Sequence, residues 1–230
     1  MKKFFCSIFT VIFLLCASVN ANAGLMDGLK GGKKTGGTAG GEISRTDIDF
    51  VYSLVAEADN LLKNSVNIAF KMLANKDEID EMDMRQKQID AIKDPKEKEA
   101  EIRKVQEDKM ASTQKAIDRE ETSKKTAAMS TEQKILFGGA MYNLALAGLK
   151  DKEAVTKAKN VSQNIQANPS ASMGFSQDVP KLKNIVTTVP PQAEKISTLS
   201  TNLVKFASKN KIEVVLPQSS SEQPKDVDNF

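Results

Sequence analysis

Apolar side chains recur along this chain at the spacing of packed helices. The densest run after the N-terminal twenty residues is Ile135 to Leu149, ILFGGAMYNLALAGL. Ser130 and Gln133 precede it at capping-box spacing, where the hydroxyl takes an N–H three residues on and the amide reaches back. Phe137, Met141, Leu144, Gly148, Val155, Ala158, Ser162 and Ile165 alternate by four and three, with charged Asp151 the one interruption. Ala140, Ala147, Ala154 and Val161 form a neighbouring row at steps of seven. Such steps lie on one stripe of a helix. They predict a helix from about Thr131 to about Ala167, ended by Pro169, because a residue before proline is pushed out of the helical region.

The first half of that helix is apolar nearly all round, with Tyr142 and Asn143 as its polar exceptions. Such a helix is surrounded on several sides. Lys134 and Lys150 bracket only fifteen residues, fewer than the roughly 20 needed to span a bilayer. The run reads as a buried bundle core. The alternative is a segment that enters lipid after rearrangement. Gly138, Gly139 and Gly148 each weaken an isolated helix by about 1 kcal/mol relative to alanine, but let a neighbouring backbone come close.

A second stripe comes earlier. Val51, Val55, Ala58, Leu62, Ser65, Ala69 and Met72 alternate by four and three, beside Leu54, Leu61 and Ile68 at steps of seven. This predicts a helix over about Asp47 to Asn75, started near Thr46 and Asp49. The seven-residue repeat predicts near-parallel packing against partners. From Lys76 to Lys125 more than half the residues are charged, fifteen acids against thirteen bases. Ile79, Met82, Ile89 and Ile92 mark a thin stripe, and Asp94-Pro95-Lys96-Glu97 is a stop and restart with proline at the first helical position. The expectation is a charged helical hairpin over 76–125 that projects from the core, with a single long kinked helix as the alternative. Asp178 opens a short helix that Pro190-Pro191 breaks. Ile196, Leu199, Leu203 and Phe206 mark the next, which ends at Asn210. Lys211 to Leu216 has the composition of a short strand. Pro217 onward is polar and reads as a disordered tail.

The N-terminus changes the picture of where the chain works. Lys2 and Lys3, an apolar stretch from Phe4 to Cys16 and Ala21-Asn22-Ala23 have the order of a secretory signal peptide, with cleavage between Ala23 and Gly24. A lipid-bearing Cys16 would be preceded by Leu15, which is bulky for that role. Cleavage removes both cysteines, Cys6 and Cys16, and lowers the formal charge from +3 to about +1 through loss of Lys2 and Lys3. Disulfide and thiol chemistry leave with them, and a near-balanced charge gives no reason to expect a nucleic-acid partner. Gly24 to Gly41 holds eight of the twelve glycines and reads as a flexible tether. It lacks the strand and helix context of a phosphate-cradling loop.

Candidate chemistry is thin. The chain has no histidine, so histidine-based triads, the usual zinc sites and the Glu-x-x-His pair of di-iron bundles are missing. The acids Asp77, Glu78, Asp80, Glu81 and Asp83 lack the turn glycine of a calcium loop and read as a solvated helix face, as do Glu57 and Asp59. A glycosidase-like pair would need two acids facing across a cleft. No catalytic, cofactor-binding or metal residues are therefore assigned, and no cofactor is expected.

The expected fold is all-α: an elongated antiparallel bundle of about four to five helices with a charged coiled-coil-like hairpin. The expected domains are a signal peptide (1–23), a glycine-rich linker (24–45), a helical bundle (46–216) and a disordered tail (217–230). The expected function is non-catalytic protein–protein interaction, scaffold or chaperone-like, with another envelope or secreted protein as partner. The expected location is the periplasm, with release outside the cell as the alternative. A membrane-active pore-former or lipid binder using Ile135 to Leu149 is the rival reading.

Overall fold

A computed structural model describes residues 43–168 and 173–227. The signal peptide with its cleavage residues Ala21, Ala23 and Gly24, and the tether as far as residue 42, lie outside the described residues. Among those described there are six α-helices and no strand. They are α1 (Arg45–Leu73), α2 (Lys76–Asp90), α3 (Pro95–Ile117), α4 (Glu120–Ala127), α5 (Thr131–Ala167) and α6 (Val179–Lys209), with a 3-10 turn at Met173–Phe175. The chain is all-α.

Local chemistry fixes most helix starts. Ser44 and Asp47 form a reciprocal capping box on α1, Asn75 and Glu78 on α2, and Ser130 and Gln133 on α5. Asp94 caps α3, with Pro95 at its first position. Each box satisfies two N–H groups that a helix start leaves without intrahelical partners. α1 is thus capped by Ser44, two residues ahead of the cap expected at Thr46.

α1, α5 and α6 carry the core. At one end Ile48 and Val51 of α1 pack with Ala158, Val161 and Ile165 of α5 and with Leu182, Ile185 and Val189 of α6. At the other, Leu62, Ala69 and Leu73 meet Phe137, Met141 and Leu144, together with Leu199, Leu203 and Phe206. The beginnings of α1 and α6 therefore lie beside the end of α5, and both helices run opposite to it. The Phe137 and Phe206 rings meet at a tilt of 59° with centroids 6.5 Å apart.

α6 continues without interruption across Pro190 and Pro191, where the sequence suggests a break. Two prolines remove the donors for the Val186 and Thr187 carbonyls. The apolar stripe nevertheless continues from Leu182, Ile185 and Val189 to Ile196, Leu199 and Leu203, all buried, and burying that stripe outweighs the lost bonds. Asp178, itself buried, accepts from Tyr52 Oη at 3.0 Å and Arg45 Nη1 at 2.8 Å, which ties the start of α1 to the start of α6. Burial and the Asp178 carboxylate push the Tyr52 phenol up to about 12.

The charged segment does not project as expected. Gln106 and Lys109 of α3 donate to the Leu62 carbonyl at 3.4 Å and to Asn67 at 2.9 Å on α1. Lys195 and Asn202 of α6 donate to Glu107 at 2.8 Å and Gln114 at 3.0 Å on α3. α3 therefore lies along both α1 and α6, while α2 turns back on α3 through Arg85 and Asp108, 2.6 Å apart. Phe70, Met82, Ile89 and Val105 form a small core of their own beneath this layer. The thin stripe is enough because Ala116 of α3 is buried in the main core with Met110 and Ile117 packed against it, and the polar side chains above add further contacts.

Glu78 is the hub of that layer. It accepts from Arg119 at 2.8 and 2.5 Å, from Ser112 at 3.1 Å and from the Asn75 N–H at 3.0 Å. Arg119 above all holds the carboxyl down at about 2, against 4.5 ordinarily. A lowered pKa contributes stability that is present above about 4.5 and is lost as pH falls toward 2. Glu78→Gln is expected to destabilise the bundle by about 1–2 kcal/mol at pH 7 and hardly at all at pH 2, allowing for partial solvent screening. Urea unfolding at the two pH values checks this.

α6 ends in a Schellman motif. The Ile212 N–H reaches the Ala207 carbonyl at 2.9 Å and the Lys211 N–H the Ser208 carbonyl at 3.3 Å. Lys211, at φ 58°, occupies the left-handed position that usually takes glycine. Lys211→Gly is expected to raise stability by about 0.5–1 kcal/mol, the relieved strain exceeding glycine's greater chain entropy. Thermal unfolding of the two proteins side by side measures it.

Candidate functional site

Beyond Lys211 the chain forms a strap over the middle of α5. Residues expected to be a strand and then a disordered tail instead lie against that helix as turns and irregular chain, as far as Val227. The 211–216 segment pairs with no strand. Its backbone runs over Gly138, where an added Cβ would stand 2.5 Å from the Glu213 carbonyl oxygen. The chain continues to Ser220, which donates to Glu153, then turns back so that Val227 comes to rest over Gly139. The Glu222 carboxylate closes the turn by accepting the Gln218 and Ser219 N–H groups.

The returning arm is held by the two polar residues of the apolar run. Asn143, only 2 % exposed, donates its amide to the Lys225 carbonyl at 2.9 Å and accepts the Lys225 N–H at 2.8 Å. One side-chain amide thus satisfies both backbone groups of one strap residue, as a neighbouring strand would. Tyr142 donates to Glu222 at 2.8 Å, and the Lys225 ammonium sits 5.1 Å above its ring. Tyr142, with the Gln218 and Ser219 N–H groups, holds the Glu222 carboxyl below its usual range. Ile212 and Val227 are buried in the main core. The strap therefore supplies the wall that α1 and α6 leave open around α5.

Composition concealed this. Ser, Gln, Pro and Lys do not form a core, and the anchoring residues Glu222, Lys225 and Val227 carry no local pattern. The legible signal lay on the other side of the contact: Gly138, Gly139, Tyr142 and Asn143 within one and a half turns of an otherwise apolar helix.

A second anomaly lies further along α5. Asp151 falls on the core stripe, is 1 % exposed, and neither carboxylate oxygen has a hydrogen-bond partner. Burial, with repulsion from Asp59 of α1, lifts its carboxyl from 3.8 to about 7. Asp59 is held by Gln192 of α6 at 3.0 Å and borders a shallow cleft with Tyr52, Pro180 and Asn184. Asp151 does not line that cleft, so the two acids do not face each other across an open site. The adjacent Lys150 is also buried but is paired with Glu57 at 2.7 Å.

A cleft of about 590 Å³ opens between α3, α4 and α6, bordered by Gln114, Arg119, Ser123, Asn202, Lys205 and Lys209. Arg119 is engaged by Glu78, and Asn202 by Gln114. Within the acidic cluster of α2, Glu78 is drawn into the fold, while Asp77, Asp80, Glu81 and Asp83 are exposed. Among the described residues no helix is long and apolar enough to cross a membrane. Comparison with known proteins adds no relative: no family model, curated protein or solved structure matches the chain.

Proposed function

We propose that this is an exported, non-catalytic helical-bundle protein that works by protein–protein interaction, as a scaffold or in a chaperone-like role. Export rests on the N-terminal order of Lys2-Lys3, apolar stretch and Ala21-Asn22-Ala23, with the periplasm as destination and an envelope or secreted protein as partner. In this reading α2 and α3 act as a coiled-coil-like hairpin of an elongated antiparallel bundle.

The observation that carries the proposal is the way α5 holds a non-helical stretch of polypeptide by its backbone. Asn143 pairs with both backbone groups of Lys225, and Gly138 admits the Glu213 backbone. Contacts to main chain tolerate many sequences, while the Val227 position adds one apolar side chain, as in strand-addition recognition. An envelope fraction passed over immobilised protein is expected to leave specific polypeptides bound. Asn143→Ala should retain at least about fivefold less, because losing a buried two-bond contact costs about 1–3 kcal/mol. Equal retention by both proteins, or none by either, rejects the proposal.

A membrane-active role is the second reading. It is favoured by the fifteen uncharged residues of Ile135 to Leu149 and by Ile135, which is 70 % exposed. Dye release from anionic liposomes would support it; intact liposomes across pH 4 to 8 would remove it.

A further inference from the structure

The strap invites a question about its occupancy: which copy of the chain supplies it. We propose that residues 212–227 are exchangeable, and that the α5 site accepts this segment from a second copy of the chain, giving a strap-exchanged dimer. The inference rests on the reading of the α5 face as a polypeptide site and names its partner.

Three observations carry it. First, the strap is complementary to the site by direct contact, and a second copy offers the identical sequence. Asn143, Tyr142 and Gly139 would meet the same Lys225, Glu222 and Val227 whichever chain they came from. Second, the segment contains no helix and pairs with no strand, so releasing it disrupts only its contacts with the bundle. Third, the hinge is short and strained. Only Asn210, Lys211 and Ile212 separate the last residue of α6 from Glu213 above Gly138. Among the described residues Lys211 is the one non-glycine with a positive φ, 58°, a conformation that costs about 1–2 kcal/mol for an L-residue. Short hinges under strain favour exchange of the segment beyond them, because the open form relieves the hinge while intermolecular contacts replace intramolecular ones. Opposing this, opening forfeits the two Schellman bonds, so protein concentration sets the balance.

The test uses the full chain with Cys6→Ser and Cys16→Ser, to which Gly139→Cys and Val227→Cys are added. A Cβ built on Gly139 stands 3.1 Å from Val227 Cγ1, so the seated strap brings the two thiols within bonding range. Equal amounts of unlabelled and nitrogen-15 chains are unfolded together, refolded at several concentrations and oxidised, then digested with trypsin. The peptide joined through positions 139 and 227 is weighed. A bridge within one chain carries a single label, whereas about half of the bridges between copies carry both, as random pairing of an equal mixture requires.

The mixed-label bridge is expected to appear and to grow with concentration. Adding Lys211→Pro should raise its share at least about threefold, since proline cannot adopt a positive φ. Adding Lys211→Gly should lower it. A bridge that stays single-label at every concentration, with Lys211→Pro included, overturns the proposal. So does the absence of any 139–227 bridge, or the formation only of 227–227 and 139–139 bridges, which report chance collision. None of these outcomes depends on a partner protein, so failure of the envelope-capture experiment is separately readable.

Discussion

Asp151→Asn is expected to stabilise the bundle by about 1–3 kcal/mol at pH 8 and to bring no gain at pH 4. The native carboxyl titrates at about 7 rather than 3.8, so the folded state binds its proton more tightly than the unfolded chain does. For a raised acid the sign is unfavourable to folding at high pH. Stability falls as pH rises from about 4 to about 7 and levels off above. At about 1.4 kcal/mol per pKa unit, the buried charge costs at most about 4 kcal/mol. Asparagine removes the charge but leaves a buried amide unpaired, which returns about 1–3 kcal/mol of that. Thermal unfolding from pH 4 to pH 8 distinguishes the two proteins, since a domain of this size shifts by about 2–4 °C per kcal/mol. Parallel curves would mean that Asp151 is solvated or paired in solution. The window lies above that of Glu78, whose contribution is lost only below about 4.5, so the two effects separate cleanly.

Gly138→Ala should destabilise the protein by about 2 kcal/mol, although the same change in an exposed helix would stabilise it by about 1 kcal/mol. The new methyl would stand 2.5 Å from the Glu213 carbonyl oxygen. That atom is backbone and cannot swing aside, so the first arm of the strap must lift. Lifting it loosens Ile212 in its core contact, worth about 1.5–3 kcal/mol when fully buried, and weakens the contacts downstream. Faster tryptic cleavage after Lys211 and Lys225 should accompany the lower midpoint. Gly148→Ala serves as the counterpart. Its methyl would lie 3.5 Å from Ile196 Cγ2, an ordinary contact, and the expected change is a gain of up to about 1 kcal/mol. If both substitutions stabilise, Gly138 does not seat a backbone.

Much of the helical framework was legible because its causes are local or periodic. The Ser130–Gln133 box, the Asp94-Pro95 restart and the alternating stripes on α1 and α5 act within a few turns, and each lies where its spacing places it. The stop at Asp118 before α4 was not legible, since no glycine, proline or side-chain cap marks it. The Pro190-Pro191 pair misled for the opposite reason: a strong local signal for a break was overridden by an apolar stripe buried on both sides of it. The candidate site was half visible. Gly138, Gly139, Tyr142 and Asn143 stood out as exceptions within the apolar run, but their ligand lies some eighty residues further on, in a segment whose anchoring residues Glu222 and Lys225 are polar and whose buried Ile212 and Val227 follow no repeat.

Local order along the chain was enough to make the described residues helical, to place most helix starts and to choose the apolar faces of α1 and α5, because capping chemistry and a 3.6-residue repeat need only neighbours in the chain. Long-range packing settled the rest: the charged α3 lies against the core, Asp151 is sealed without a partner, and the polar C-terminus completes the wall around α5. Those outcomes depend on which surfaces meet across long separations, and burial and hydrogen-bond pairing between distant segments leave no periodic trace in either one.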